Sequence, residues 1–199
     1  MVTAETLDEA AAELRERGLV VFPTETVYGL AADALDPDAV AAVFDAKRRP
    51  RGKPLSFAFP DHEAALEYVE AGETEREFMA AFLPGPVTVV VEKTDDVPDV
   101  LTGGRDRVGV RVPDHDGALA LLERVAPLTA TSANVSGEPS VTHPDDLDGA
   151  LRARVDAVVD DGETPGGTGS TVVDVANGEV LREGAVGGDV RAWLDEHDA

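Results

Sequence analysis

Short apolar runs alternate with amphipathic stretches along nearly the whole chain, and this alternation constrains the fold more than any other feature. The apolar runs predict buried strands. An Asn177-Gly178 step between the last two runs predicts a tight hairpin. The predicted strands cover residues 19–22, 55–59, 87–92, 108–112, 128–131, 157–159, 171–175 and 179–182.

The stretches between these strands have apolar residues at helical spacing. They predict helices over residues 6–17, from Asp36-Pro37 to before Pro50, and near residues 62–70, 73–82, 117–125 and 145–155. Helices interleaved with strands indicate an α/β fold, with a twisted mixed sheet and helices packed around it. A length of 199 residues favours a single domain, spanning residues 1–199, with the glycine-rich segment 162–169 as an internal loop.

The charge balance is extreme, with 40 Asp and Glu against 17 Lys and Arg and a formal net charge of -23. Such self-repulsion is tolerable where salt screens it, so we predict a salt-rich cytoplasm of the kind that halophiles have. A broad nucleic-acid-binding face would need many exposed cations. Direct binding of RNA is therefore expected to be weak or absent.

Several classes of protein are disfavoured by what the sequence lacks. The chain has no Cys, which excludes disulfides, thiolate zinc sites, iron–sulfur clusters and a cysteine nucleophile. We find no signal peptide and no apolar run long enough to span a bilayer, so we expect a cytoplasmic protein without membrane contact. The four His residues have no paired spacing, and no metal ligands are predicted.

One short segment runs against the acidic background. Residues 47–53 hold five cations and no acid, whereas the other 192 residues carry 12 cations and 40 acids. A helix C-terminus would account for one or two of these cations. The remainder indicate a site for a polyanion, either a nucleoside triphosphate in a pocket or an RNA backbone along an extended stripe of cations. No P-loop pattern is present, so side-chain cations and backbone amides at turns would hold phosphate.

Three polar segments adjoin predicted strands, at residues 23–29, 129–137 and 166–171. Ligands of open α/β sheets bind beyond the carboxyl ends of strands, so hydroxyl groups in these segments are candidates for substrate contact. Each segment also suits an ordinary structural role: a capped turn, a turn with local hydrogen bonds, or a flexible loop.

Taken in order, six segments resemble the YrdC/Sua5 family of threonylcarbamoyl-AMP synthases over about residues 18–186. The segments are 22–30 (FPTETVYGL), 46–50 (AKRRP) with 53–55 (KPL), 84–88 (PGPVT), 110–115 (VRVPDH), 131–134 (TSAN) with Ser136-Gly137, and 170–174 (STVVD). The resemblance is to the short, catalytic-domain-only form, and it implies one YrdC-like domain.

That resemblance implies a nucleotidyltransferase in which L-threonine and bicarbonate (or CO2) form a carbamate that attacks the α-phosphate of ATP. The products would be threonylcarbamoyl-AMP and pyrophosphate, in the first step of the t6A modification of tRNA, with Mg2+ accompanying ATP. Lys47 and Arg49 are the implied catalytic residues. ATP would be bound by Lys47, Arg49, Lys53, Ser132, Asn134, Ser140 and Arg182. Threonine would be bound by Thr24, Thr26, Tyr28, Arg111 and Ser170, with Arg111 on its carboxylate.

Further expectations concern single segments. We expect Lys47 to be an exposed cation whose loss leaves folding intact. Residues 162–169 are expected to form a mobile lid that excludes water from the carbamate. Relatives often carry a His near positions 58 and 59, where this chain has Ala58 and Phe59.

The resemblance also implies a downstream partner, the threonylcarbamoyl transferase machinery that acts on tRNA. Two other readings stay open. One is the related domain of hydrogenase maturation proteins, which belongs to longer chains that contain Cys. The other is a non-catalytic YrdC-like module that binds RNA or ribosomes.

Overall fold

Ten strands form one mixed sheet in the computed structural model, which describes residues 2–197. The strands are β1 (Val20–Phe22), β2 (Gly29–Ala31), β3 (Ser56–Ala58), β4 (Val69–Glu70), β5 (Val87–Lys93), β6 (Arg107–Arg111), β7 (Leu128–Ser132), β8 (Ala157–Val158), β9 (Thr171–Asp174) and β10 (Glu179–Arg182). Their order is β10-β9-β5-β6-β3-β7-β2-β1-β8, with β4 paired to the end of β5. The pairs β1/β8, β3/β6 and β5/β9 are parallel and the others antiparallel. The predicted α/β fold with a mixed sheet is confirmed.

Helices cover much of the sheet. They are α1 (Ala4–Arg15), α2 (Pro37–Lys47), α3 (His62–Ala65), α4 (Glu73–Phe82), α5 (Asp99–Thr102), α6 (Asp116–Leu122), α7 (Gly149–Arg152) and α8 (Gly187–Glu196), with a 3-10 turn at Pro144–Asp146. The start of α2 follows from its sequence, since the Asp36 carboxylate accepts hydrogen bonds from the first-turn amides and Pro37 occupies the first helical position. No helix within residues 2–197 has both the length and the apolar character needed to cross a membrane.

The two faces of the sheet have different surroundings, because side chains alternate along each strand. On one face, Val87, Val89 and Val91 of β5 join the main core with residues of α2, α4 and α8. On the other face, α1 and α6 form a second apolar cluster that includes Phe22 and Leu128. Much of the remaining surface of that second face is the floor of a cavity.

Three local predictions need correction. Strand β2 was not predicted, because Gly29–Ala31 is short and follows a polar segment without a turn signal. The helix predicted near residues 62–70 ends at Ala65, and the chain then enters β4, where the buried Val69 pairs with Lys93. The helix predicted over residues 145–155 is interrupted, since His143 caps the 3-10 turn and Asp148 caps α7 separately.

Candidate active site

A cavity of about 920 Å³ lies over the second face of the sheet. Its floor is made of alternate residues from five strands: Ser56 and Ala58 of β3, Thr88, Val90 and Glu92 of β5, Arg107, Gly109 and Arg111 of β6, Ala130 and Ser132 of β7, and Val172 and Asp174 of β9. Gly109 keeps the middle of this floor low, since a Cβ there would lie 2.5 Å from Ser56 Oγ and 2.8 Å from Thr88 Cγ2. The size and mixed lining suit small-molecule substrates.

Most of the side chains that the sequence predicts for the site line this one cavity. They are Thr24, Thr26, Tyr28, Arg49, Lys53, Arg111, Ser132, Ser140, Ser170 and Arg182. Lys47 and Asn134 are not among the lining residues, and both lie directly behind Ser132. The polar segments at residues 23–29, 129–137 and 166–171 therefore converge, although they are far apart along the chain.

Lys47 ends α2 and is only 1% exposed, so the expectation of an exposed cation was wrong. Its Nζ donates to the backbone oxygens of Ser132, through a short contact, and of Asn134, at 2.8 Å. The Ser136 amide also donates to the Lys47 oxygen at 2.8 Å. Burial lowers the pKa of Lys47 to about 7, and repulsion from Arg49 adds to the shift. Lys47 thus fixes the turn that follows β7.

Asn134 organises the same turn from its other side. Its Oδ1 accepts a short hydrogen bond from Ser132 Oγ, and its Nδ2 donates to the backbone oxygens of Val135 and Glu138 at 2.8 and 2.7 Å. It also lines a second cavity of about 560 Å³, which Ser140 shares with the main cavity. The turn is held by side chains, so the hydroxyl of Ser132 has a defined place on the cavity floor.

Arg49 shapes the basic segment through its own backbone. The Arg49 Nε donates to the Lys53 oxygen at 2.9 Å, and its Nη2 donates to the Pro54 oxygen at 2.8 Å. These bonds curl residues 49–54 around the guanidinium at the cavity edge. Lys53 is exposed on the same edge.

Arg111 ends β6 in a buried position beside the segment 24–26. Its Nη2 donates to Glu25 Oε1 at 3.0 Å and to Thr26 Oγ1 at 2.8 Å. Thr24 and Thr26 share a hydroxyl–hydroxyl bond of 2.9 Å, and Thr24 Oγ1 donates to the Val27 oxygen at 2.6 Å. Burial lowers the pKa of Arg111, while the charge and hydrogen bond of Glu25 oppose this shift.

Ser170 and Arg182 form another contact group at the cavity wall. The Arg182 Nη2 donates to the Ser170 backbone oxygen at 2.8 Å and to its Oγ at 3.0 Å. Ser170 Oγ also lies 2.8 Å from Thr88 Oγ1. Arg182 thereby connects the edge strand β10 to the start of β9, and part of its side chain stays exposed beside the cavity.

Tyr28 connects the cavity to the glycine-rich segment 162–169. Its hydroxyl donates to the Gly162 oxygen at 2.7 Å and accepts from the Asp161 amide at 3.1 Å. Thr164 Oγ1 donates to the Thr26 oxygen at 3.2 Å. Gly166 packs so closely that a Cβ would lie 2.6 Å from the Thr26 oxygen. The segment is therefore attached to the cavity wall at three successive points.

The charges around the cavity are unbalanced in favour of cations. Burial, followed by repulsion from Arg182, lowers the pKa of Arg49. Burial, followed by repulsion from Arg111, lowers the pKa of Arg182. Both Arg49 and Arg182 donate to backbone or hydroxyl oxygens, and neither pairs with a carboxylate in the part of the chain that the structure describes. An anion bound between the guanidinium groups would relieve their repulsion.

Sequence reasoning missed several residues of this site. Glu25 lies inside a segment that was singled out, yet no role was assigned to it. Arg107 lines the far end of the cavity, where it pairs with Asp174 through a short contact and with Glu75 at 3.6 Å. The signal was present in β6, in which every second residue on one face is polar or Gly, and in part in β5 and β9, which place Thr88, Glu92 and Asp174 on the same face.

No group of three or more His, Asp or Glu side chains is placed to hold a metal ion among residues 2–197. The isolated His115 caps α6, since its Nδ1 accepts from the Gly117 amide at 3.1 Å.

A protein-family model, Sua5_yciO_yrdC, with the description "Telomere recombination", matches residues 12–184. The threonylcarbamoyl-AMP synthase of Pyrococcus abyssi is 44% identical over 168 residues, which cover 83% of this chain and 49% of that protein. The threonylcarbamoyl-AMP synthase of Xanthomonas campestris is 36% identical over 182 residues, covering 89% and 97%. The crystal structure of P. abyssi Sua5 complexed with L-threonine has a TM-score of 0.84 at 42% identity, covering 89% and 54%. The chain spans about half the length of the P. abyssi relative.

Proposed function

Because the chain belongs to the Sua5/YciO/YrdC family, we propose that it is a threonylcarbamoyl-AMP synthase, a nucleotidyltransferase. The amine of L-threonine and bicarbonate condense to a carbamate with loss of water, or the amine adds directly to CO2. A carbamate oxygen then attacks the α-phosphorus of ATP, and the bond to the β-phosphate breaks to release pyrophosphate. The product, threonylcarbamoyl-AMP, would pass to the transferase machinery that modifies tRNA.

One observation carries this proposal: Arg49, Arg111 and Arg182 converge on a single cavity in a strongly acidic chain. ATP is anionic, threonine carries a carboxylate, and the leaving pyrophosphate gains negative charge as the reaction proceeds. Preorganised cations lower the energy of that charge, and the reaction needs no covalent nucleophile from the protein. The three arginines can supply this positive charge.

We assign the phosphates to the side of the cavity formed by Arg49, Lys53, Ser132 and Ser140, with Arg182 opposite. Arg49 is the direct contact, and the Ser132 hydroxyl becomes a second one when its hydrogen turns from Asn134 Oδ1 to a phosphate oxygen. Lys47 and Asn134 act behind Ser132, where they fix the turn after β7. Phosphate charge nearby would favour the protonated form of Lys47, whose pKa is about 7 without ligand. We therefore expect Lys47 to be fully protonated when the nucleotide is bound.

We assign threonine to the side formed by Arg111, Thr24, Thr26 and Ser170, with Arg111 on its carboxylate. Tyr28 supports this side indirectly, since its hydroxyl is engaged by the segment 161–162. The two substrate sides share one cavity floor, which would place the carbamate beside the α-phosphate. Holding both reactants in line is a large part of what a catalyst of this reaction must do.

Mg2+ would enter with ATP as part of the substrate, coordinated by the triphosphate. The residues that line the phosphate side are cations and hydroxyl groups, so the oxygens of the nucleotide are the natural ligands.

The carbamate is unstable in water, and we propose that residues 162–169 shield it. Their attachment to Tyr28 and Thr26 supports this role because it joins the segment directly to the threonine side.

The direct test is pyrophosphate release from ATP by the purified protein in high salt. The proposal predicts release that requires both threonine and bicarbonate, and a marked rise in the threonine KM of Arg111→Ala with little change in the ATP KM. If the protein instead binds tRNA tightly and releases no pyrophosphate, the non-catalytic RNA-binding module is the correct interpretation. A carbamoyl substrate that replaces threonine and bicarbonate would indicate the chemistry of the hydrogenase maturation domain.

A further inference from the structure

Glu25 is half-buried beside the cavity, yet it is not one of the residues that line it. Its side chain is 13% exposed, and Oε1 accepts from Arg111 Nη2 at 3.0 Å. Its second oxygen, Oε2, is buried with no hydrogen-bond partner in the described chain. A buried carboxylate oxygen without a partner is costly, and a purely structural role would favour a fully satisfied arrangement.

The guanidinium of Arg111 is held at one of its three nitrogens. Its Nη2 donates both to Glu25 Oε1 and to Thr26 Oγ1, whereas Nε and Nη1 have no hydrogen bond with any residue between 2 and 197. Neither nitrogen is fully buried, and the Arg111 side chain lines the cavity. Nε and Nη1 carry the three N–H donors of the guanidinium that remain, and these are the donors that a substrate carboxylate can meet.

We propose that Glu25 is a positioning residue for amino-acid recognition, which holds Nη2 of Arg111 so that the remaining N–H donors of the guanidinium, on Nε and Nη1, meet the substrate carboxylate. This inference rests on the proposed function. Thr26 completes the hold from the other side, and its own hydroxyl is fixed by Thr24. Glu25 therefore acts through Arg111 and does not itself touch the substrate.

The charge around Arg111 supports this arrangement. Arg182 is the neighbouring cation that repels it, and Glu25 is the carboxylate that pairs with it. Without Glu25, the buried guanidinium would keep its charge but lose the partner that sets its direction. Orientation matters here because a hydrogen bond from the planar guanidinium depends on the direction of each N–H as well as on the charge.

The test compares Glu25→Ala and Glu25→Gln with a matched control, Glu77→Gln, which removes one charge from the exposed surface of α4. We expect Glu25→Ala to raise the threonine KM about tenfold or more, with the ATP KM within about twofold of the wild type. The threonine KM of Glu25→Gln should lie between those of Glu25→Ala and the wild type, since its amide oxygen can still accept from Arg111. The control should match the wild type.

Formate separates positioning from general structural support. In Glu25→Ala, formate should fill the vacated place beside Arg111 and lower the threonine KM. In the wild type, the same ion should compete with threonine and raise that KM. A merely structural residue would give no such reversal of sign.

An unchanged threonine KM in Glu25→Ala would overturn the proposal, as would an equal rise in both KM values or a failure of formate to rescue. Should Glu25→Ala fail to fold, an unchanged threonine KM in Glu25→Gln would have the same effect. Lack of product in the wild type would contradict the proposed function instead. Threonine binding by calorimetry in the same variants would then decide the role of Glu25, with equal affinities counting against it.

Discussion

At the scale of single residues, Lys47 shows how burial changes the meaning of a charge. The sequence places it in a cluster of five cations, where a surface role is the simplest interpretation. The structure places its Nζ among backbone oxygens, with no carboxylate partner in the described chain. Burying a cation in this way costs free energy, so its retention is best explained by the charge it can provide when phosphate is bound.

Lys47 should make stability depend on pH. Its pKa falls from 10.5 to about 7 on folding, so the unfolded chain binds more protons between these values. The free energy of unfolding should therefore rise with pH across that window, by up to about 1.4 kcal/mol per pH unit. Lys47→Met lacks this group and should show a flatter dependence from pH 7 to 10. Urea unfolding of both proteins at fixed salt measures the difference, and parallel curves would contradict the burial of an ionisable lysine.

At the scale of elements, the alternation of apolar and amphipathic stretches was enough to predict the α/β class and most of the strands. The step at Asn177-Gly178 correctly predicted the β9–β10 hairpin. Strand β2 could not be predicted, because it is stabilised by its neighbours β1 and β7 and has little apolar pattern of its own. The helix expected at residues 62–70 failed for a similar reason, since pairing with β5 overrides local helix propensity at Val69.

The site was predictable in composition but less so in arrangement. Motif order assigned Lys47, Asn134 and Ser132 to the nucleotide, and the structure places all three in one hydrogen-bonded group. Which of them reaches the cavity depends on how α2 ends beneath β7, and no local pattern encodes that contact. Glu25 was missed because carboxylates are abundant in this chain, and only the structure shows that it pairs with Arg111.

The segment 162–169 gives a prediction at this scale. A Cβ on Gly166 would lie 2.6 Å from the Thr26 oxygen and 2.7 Å from its Cα, so Gly166→Ala must displace either the segment or Thr26. We expect the threonine KM to rise about tenfold, because Thr26 helps to hold Arg111. Steady-state kinetics with varied threonine measure this effect.

Gly188→Ala is the matched control for that variant. Gly188 lies in the first turn of α8, where an added Cβ would have no heavy atom within 4 Å, and Ala there should stabilise the helix slightly without changing activity. A wild-type threonine KM in Gly166→Ala would show that the segment does not support the threonine side.

At the scale of the whole molecule, the formal charge of -23 sets the conditions under which the fold is stable. Cations are concentrated at the cavity, whereas helices such as α1 present mostly acidic side chains outward. The surface therefore repels itself while the cavity attracts anions. This contrast favours small anionic substrates over an extended RNA backbone.

Added KCl should stabilise the protein. Raising the salt from about 0.1 M to 1 M shortens the screening length from about 10 Å to about 3 Å. If this recovers about 2 kcal/mol, the melting temperature should rise by about 4–8 °C. A double variant, Glu9→Gln with Glu13→Gln, removes two exposed charges from α1 and should show a smaller gain. A melting temperature that is independent of KCl would contradict the role assigned to surface repulsion.

The central claim is that one cavity holds a nucleotide and an amino acid side by side. A crystal structure with L-threonine and a non-hydrolysable ATP analogue tests it most directly. We predict phosphates between Arg49, Ser132 and Arg182, and the threonine carboxylate hydrogen-bonded to Nε or Nη1 of Arg111. Nucleotide bound outside this cavity, or threonine bound away from Arg111, would contradict the claim.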